Sequence, residues 1–86
     1  MVIDLEGIYS ADEFYELLGR YIELPSYFGY NLDALADVLG DINRETEISF
    51  INTSDIKTLM PRFYRGLKRM CEKVSADNEV LTLSIE

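Results

Sequence analysis

Three aspartates at four-residue steps, Asp33, Asp37 and Asp41, carry most of the chemistry this chain offers. They fall in the run PSYFGYNLDALADVLGDI, residues 25–42. On a helix, four-residue steps place them along one ridge. Leu32, Leu35, Ala36 and Leu39 form the opposite, core-facing stripe. Like charges four apart cost a helix about 0.2–0.5 kcal/mol each, so local stability gives no reason for the ridge. Asp33 alone has a local reason, since the dipole of a first helical turn favours a negative charge. Asp41 sits at the unfavourable C-terminal end. An electropositive group outside the chain accounts better for the set.

Paired carboxylates have two other uses. At about 1.5 Å rise per residue, Asp33 and Asp37 lie roughly 6 Å apart along the axis, which suits acid–base work. They also suit a magnesium ion. Both project from a convex face, with no second segment to close a cavity. The chain contains no histidine and a single cysteine, which removes the commonest general base and the usual zinc and iron–sulfur ligands. No GxGxxG or GxxxxGK[ST] phosphate cradle is present. The residues point to a binding protein without a cofactor, not to an enzyme.

The connection before the ridge, Tyr27-Phe28-Gly29-Tyr30, places three aromatics in four residues. Phe28 reads as a roof on the core. The two tyrosines resist burial together because each hydroxyl needs a partner. Exposed tyrosine beside acids is the composition of a protein–protein contact. Gly29 is expected to supply a positive φ or a close approach.

Stepping outward, the chain has 86 residues, 48% of them apolar, and a net charge of −8. That is one domain, residues 1–86, with enough apolar surface for a core. Residues 1–56 hold 12 acids and 2 bases (−10), and residues 57–86 hold 4 acids and 6 bases (+2). An acidic front repels nucleic acid and membrane surfaces and attracts basic partners. The bases, including Arg69 and Lys73, read as the solvated face of a helix, with Lys73 far from the ridge. Replacing Lys73 by alanine is therefore expected to be silent. Cys71 falls in an apolar stripe and reads as a core thiol. With no signal-peptide layout at MVIDLEG and one cysteine, a reducing cytoplasm is the expected compartment.

The elements that must hold the ridge follow from pattern. Val2 to Leu5 reads as a strand. Ser10 to Glu13 matches a capping box, with Glu13 reaching back to the Ser10 amide. Phe14, Leu17, Leu18, Tyr21 and Ile22 then repeat at helical spacing until Pro25 ends the region. Asn31 is the expected N-cap of the ridge helix, 32–42. Glu47 to Asn52 is a second strand. Thr53 or Ser54 caps a short helical turn, Pro61 starts a long helix, and Val80 to Ile85 is the last strand. Strands separated by helices predict parallel pairing. The expected fold is α/β, a three-stranded parallel sheet packed against helices, with strand order left open.

The run LPSYFGYNLDALADVLGDI resembles the signature of the barstar family, intracellular inhibitors of a secreted ribonuclease. The order of elements is similar over nearly the whole chain. The resemblance implies that Tyr27, Asn31, Asp33 and Asp37 face the enzyme, with Asp37 in the place of a substrate phosphate. It implies a further contact from a glutamate on the last helix, matched by counting back to Glu72. Departures fall at the border of that surface. Ala36 and Ile42 stand where the family has tryptophans, Tyr30 replaces a glutamate, and Ala76 replaces a second helix glutamate. The implied partner-binding set is Tyr27, Tyr30, Asn31, Asp33, Ala36, Asp37, Ile42 and Glu72. The implied partner is a small ribonuclease or nuclease toxin with a basic cleft, bound one to one by a free monomer. An acidic adaptor for another basic protein or a non-ribonuclease toxin is the alternative, and a magnesium enzyme a distant third.

Overall fold

A computed structural model describes all residues, 1–86. The elements run β1 (Val2–Asp4), α1 (Ala11–Leu18), α2 (Leu32–Gly40), β2 (Thr46–Ile51), α3 (Ser54–Leu59), α4 (Pro61–Asp77) and β3 (Leu81–Ile85). The three strands form one parallel sheet in the order β1-β2-β3. This is the α/β architecture expected, and it fixes the strand order that the sequence left open.

The core is a single cluster. Ile3, Ile48, Phe50 and Leu81 from the sheet meet Phe14, Leu18, Leu35, Leu39 and Leu67 from the helices. Leu35 and Leu39 are the buried stripe of α2, and their burial leaves Asp33 and Asp37 on the exposed side. Each fully buried leucine contributes about 1.5–3 kcal/mol. The apolar face of α2 therefore outweighs the like-charge penalty of its aspartates. Cys71 lies in the same core, and burial, with the Glu72 carboxylate a smaller cause, pushes its thiol up to about 12. It is an inert core thiol.

Helix ends show where local chemistry decides. The Ser10 Oγ accepts the Glu13 N–H at 3.2 Å, as in a capping box. The Glu13 carboxylate closes on the Ser10 hydroxyl, which donates to Oε1 at 3.1 Å, instead of on the Ser10 amide. The first helix stops at Leu18, short of the expected Tyr21 and Ile22. Beyond Gly19 the chain tightens into turn bonds, the Arg20 and Tyr21 N–H groups donating to the Leu17 and Leu18 carbonyls. Glycine is a poor helix former, which explains the early end. Tyr21 is left 43% exposed, while Tyr15, outside the expected stripe, is buried. Thr53 occupies the N-cap position of α3 without a side-chain cap. Its buried hydroxyl donates instead to the Glu86 carbonyl. Pro61 stands at the start of α4, as its missing N–H permits.

Candidate functional site: the ridge of α2 and its two flanking grooves

The ridge helix is pinned at both ends by asparagines. At the start, Asn31 Oδ1 accepts the Ala34 N–H at 2.7 Å, the expected cap. Its Nδ2 donates to the Gly29 carbonyl at 3.2 Å, tying the aromatic loop to the helix. At the far end, Asn78 reaches across from the α4–β3 turn. Its Nδ2 donates to the Leu39 carbonyl at 3.1 Å and the Ile42 carbonyl at 3.0 Å, with a longer contact to Gly40 at 3.4 Å. Leu39 and Gly40 belong to the last turn of α2, whose carbonyls lack helical donors, and Leu39 also accepts the Ile42 N–H at 3.2 Å. The Asn78 Oδ1 then accepts the Val80 N–H at 3.1 Å. One side chain thus ties the end of α2 to the α4–β3 turn.

The loop departs from expectation at one residue. Gly29 has no positive φ; it serves close approach, since an added Cβ would meet Asn31 Nδ2 at 3.1 Å. The left-handed residue is Tyr30, φ 52°. For a bulky residue this costs about 1–3 kcal/mol. Tyr30 recovers a comparable amount by packing edge-on to Phe28 (5.2 Å, 66°) and Tyr15 (6.2 Å, 84°), each aromatic pair being worth about 0.5–1.5 kcal/mol. Phe28 is buried, as its reading as a roof required, while Tyr27 is 86% and Tyr30 62% exposed. Burial, with Asp12 a smaller cause, pushes the Tyr15 hydroxyl up to about 12, so it stays neutral near pH 7.

Two grooves border the ridge. The first, of about 500 Å3, runs between α2 and α4. Its α2 wall carries Asp33, Ala36, Asp37 and Gly40, and its α4 wall carries Arg69, Met70, Lys73 and Asp77. Gly66 lets the helices approach, because a Cβ there would fall 2.9 Å from Leu32 Cδ1. Lys73, expected far from the ridge, lines the same groove as Asp33 and Asp37, together with Arg69. Positive charge for the ridge is thus partly supplied from within the chain. None of the side-chain hydrogen bonds engages Asp33, Asp37, Arg69 or Lys73. Those four groups keep their capacity to pair with a partner.

The second groove, of about 790 Å3, lies between the α1–α2 connection and the C-terminal end of α2. Tyr21, Glu23, Tyr27, Val38, Asp41, Ile42 and Arg44 line it, together with Met1.

The expected site residues therefore divide. Asp33, Ala36 and Asp37 share the α2–α4 groove, and Tyr27 and Ile42 share the other. Tyr30 borders a shallow depression with Tyr15 and Arg20. Asn31 is exposed but largely committed to capping. Glu72 is exposed on α4 and lines neither groove. Sequence reasoning missed Arg69, Lys73, Asp77 and Asn78. Steps of three and four from Gly66 to Arg69, Met70, Lys73 and Asp77 were the available signal for a shared helix face. No three Cys, Asp or Glu side chains converge as a metal-ligand set, and no helix is long and apolar enough to cross a membrane.

Residues 1–85 match the model of one protein family, Barstar (barnase inhibitor), and the chain belongs to that family. No curated protein matches the chain's sequence closely enough to count as a relative. Family membership supports a role of the ribonuclease-inhibitor type and a nuclease as the general class of partner.

Proposed function

We propose that the chain inhibits a small ribonuclease or nuclease toxin by laying the exposed face of α2 across its basic cleft. The observation that carries this reading is the ridge: Asp33 and Asp37 are exposed on a helix fixed at both ends, beside two exposed tyrosines. Asp37 takes the place of a substrate phosphate and Asp33 pairs with a neighbouring cation, arginine partners offering two-point contacts. Tyr27 and Tyr30 exclude water around those charges, which strengthens them. The acidic half of the chain steers encounter, raising on-rates by about 10–10³-fold at low salt. The protein acts as a cytoplasmic monomer in a one-to-one complex, as an immunity protein or antitoxin.

The departures favour keeping one alternative. Ala36 and Ile42 leave space where tryptophans stand in the family, and Arg69 and Lys73 add cations beside the ridge. A partner other than barnase, including a basic protein that is not a ribonuclease, fits this mixed surface. The test is RNA cleavage by barnase and by nucleases encoded beside this gene, each titrated with the wild type and with Asp37→Ala. Stoichiometric inhibition that Asp37→Ala abolishes supports the proposal. Binding without inhibition favours the adaptor, and inhibition unchanged in Asp37→Ala overturns the binding mode.

A further inference from the structure

Different chemistry holds the two ends of α2. Asn31 caps the start from the adjoining position. The far end lacks the local devices that commonly close a helix. No left-handed residue follows it: Asp41 is the C-cap at φ −86°, and the positive φ values of the chain fall at Gly7, Tyr30 and Asn52. Its last turn holds no basic residue, and Asp41 sets a carboxylate against the negative end of the dipole. Gly40 weakens the same turn, glycine being the poorest helix former after proline. The winding tightens there, as the Asp41 N–H divides between the Asp37 and Val38 carbonyls at 3.2 and 3.3 Å. Asp37 opens this turn, so the carboxylate with the central role in binding stands where the helix is weakest.

Asn78 closes the turn from across the fold, its Nδ2 donating to the Leu39 and Ile42 carbonyls. The amide is itself fixed. Its Oδ1 accepts the Val80 N–H, its main-chain N–H donates to the Val74 carbonyl at 2.9 Å, and its carbonyl accepts the Leu81 N–H at 3.2 Å. All four polar groups of one residue are thus committed, to α4, to the start of β3 and to the end of α2. We propose that Asn78 is a positioning residue of the binding face, keeping the last turn of α2 wound and so holding the Asp37 carboxylate in place for a partner's cation. The role rests on the reading that Asp37 enters a basic cleft. A turn already ordered spares the complex the entropy of ordering it on contact.

The test uses the free, full-length chain and Asn78→Ser, whose hydroxyl can still accept the Val80 N–H but is too short to reach α2. In 15N relaxation, the order parameters of Asp37 to Ile42 are expected to fall from about 0.85 to below about 0.6, with those of β2 unchanged. Gly40→Ala, whose Cβ would meet no atom within 4 Å, should restore part of that order in the Asn78→Ser background. In the wild type, the side-chain amide protons of Asn78 should exchange at least about tenfold more slowly than those of exposed Asn43. In the RNA-cleavage titration, Asn78→Ser should weaken inhibition at least about fivefold, yet by less than about twofold in the Asp37→Ala background. A merely structural residue would weaken both backgrounds alike. Unchanged order at the end of α2, order lost throughout the chain, equal exchange at Asn43 and Asn78, or equal losses in the two backgrounds would each overturn the role. If the wild type inhibits no nuclease, the inhibition reading falls, and the relaxation and exchange data still decide whether Asn78 holds the turn.

Discussion

On one side of α2 the wall is another helix, and on the other it is a loop. The α4 side presents Arg69 and Lys73 opposite Asp33 and Asp37, over a floor narrowed by Gly66. The loop side presents Tyr21 and Tyr27 opposite Asp41 and Ile42. Both grooves carry charge of both signs, and the second adds the aromatic surface of Tyr21 and Tyr27. Two packed helices can hold opposing charges in fixed register, so that side suits discrimination between partners. A tyrosine-bearing loop offers large contact area at low entropic cost, which suits anchoring.

Several substitutions would break or sharpen this contrast. The largest effect is expected from Asp37→Ala, which should weaken inhibition of a ribonuclease partner by about 2–5 kcal/mol or more, a range drawn in part from the barnase–barstar pair itself. Asp41→Asn should cost far less in the same assay; if the two losses are equal, the flanks are not distinct. Next, Asn78→Ala removes the donor to the Leu39 and Ile42 carbonyls and should lower stability by about 1–3 kcal/mol in urea unfolding. Both grooves should loosen together, since both depend on the end of α2. Lys73→Ala is a smaller change. It should speed association with a basic partner a few-fold at low salt and leave dissociation nearly unchanged, as stopped-flow mixing would show. A slower on-rate would mean that the partner meets Lys73 with an acid.

The last prediction concerns neither flank and serves as a control. The Glu6 amide and, to a lesser extent, the Asn52 side chain hold the Asp4 carboxyl below its ordinary value of 3.8. Because the folded value is the lower one, the stabilisation is complete above that ordinary value. It is lost as pH falls through 3.8 and then through the folded value. Asp4→Asn should therefore flatten the acid limb of the stability curve below about pH 4. Inhibition measured at pH 7 should not change.

Much of this molecule could be read from local pattern. Asn31, Ser10 and Pro61 announce helix starts because caps act within a few residues. The Leu35 and Leu39 stripe fixed which way the aspartates face, and alternating strands and helices fixed a parallel sheet. The long-range choices were hidden. Nothing near Lys73 says that α4 packs alongside α2, so a residue expected to be remote lines the acidic groove. Gly29 serves the close approach that was one of its two expected uses, while the positive φ at Tyr30 was hidden because its compensating rings, Tyr15 and Phe28, converge only in the fold. No local pattern marks Asn78, since the carbonyls it satisfies lie more than thirty positions back.

That last bond network has a consequence for how such a protein can change. Asn31 and Asn78 hold α2 through backbone groups, and Leu35 and Leu39 hold it from beneath, so no outward-facing side chain bears the helix's weight. Positions 33, 37, 40 and 41 can be exchanged while the platform stays still. A lineage pursued by a changing nuclease could rewrite its recognition surface one residue at a time without relearning how to fold.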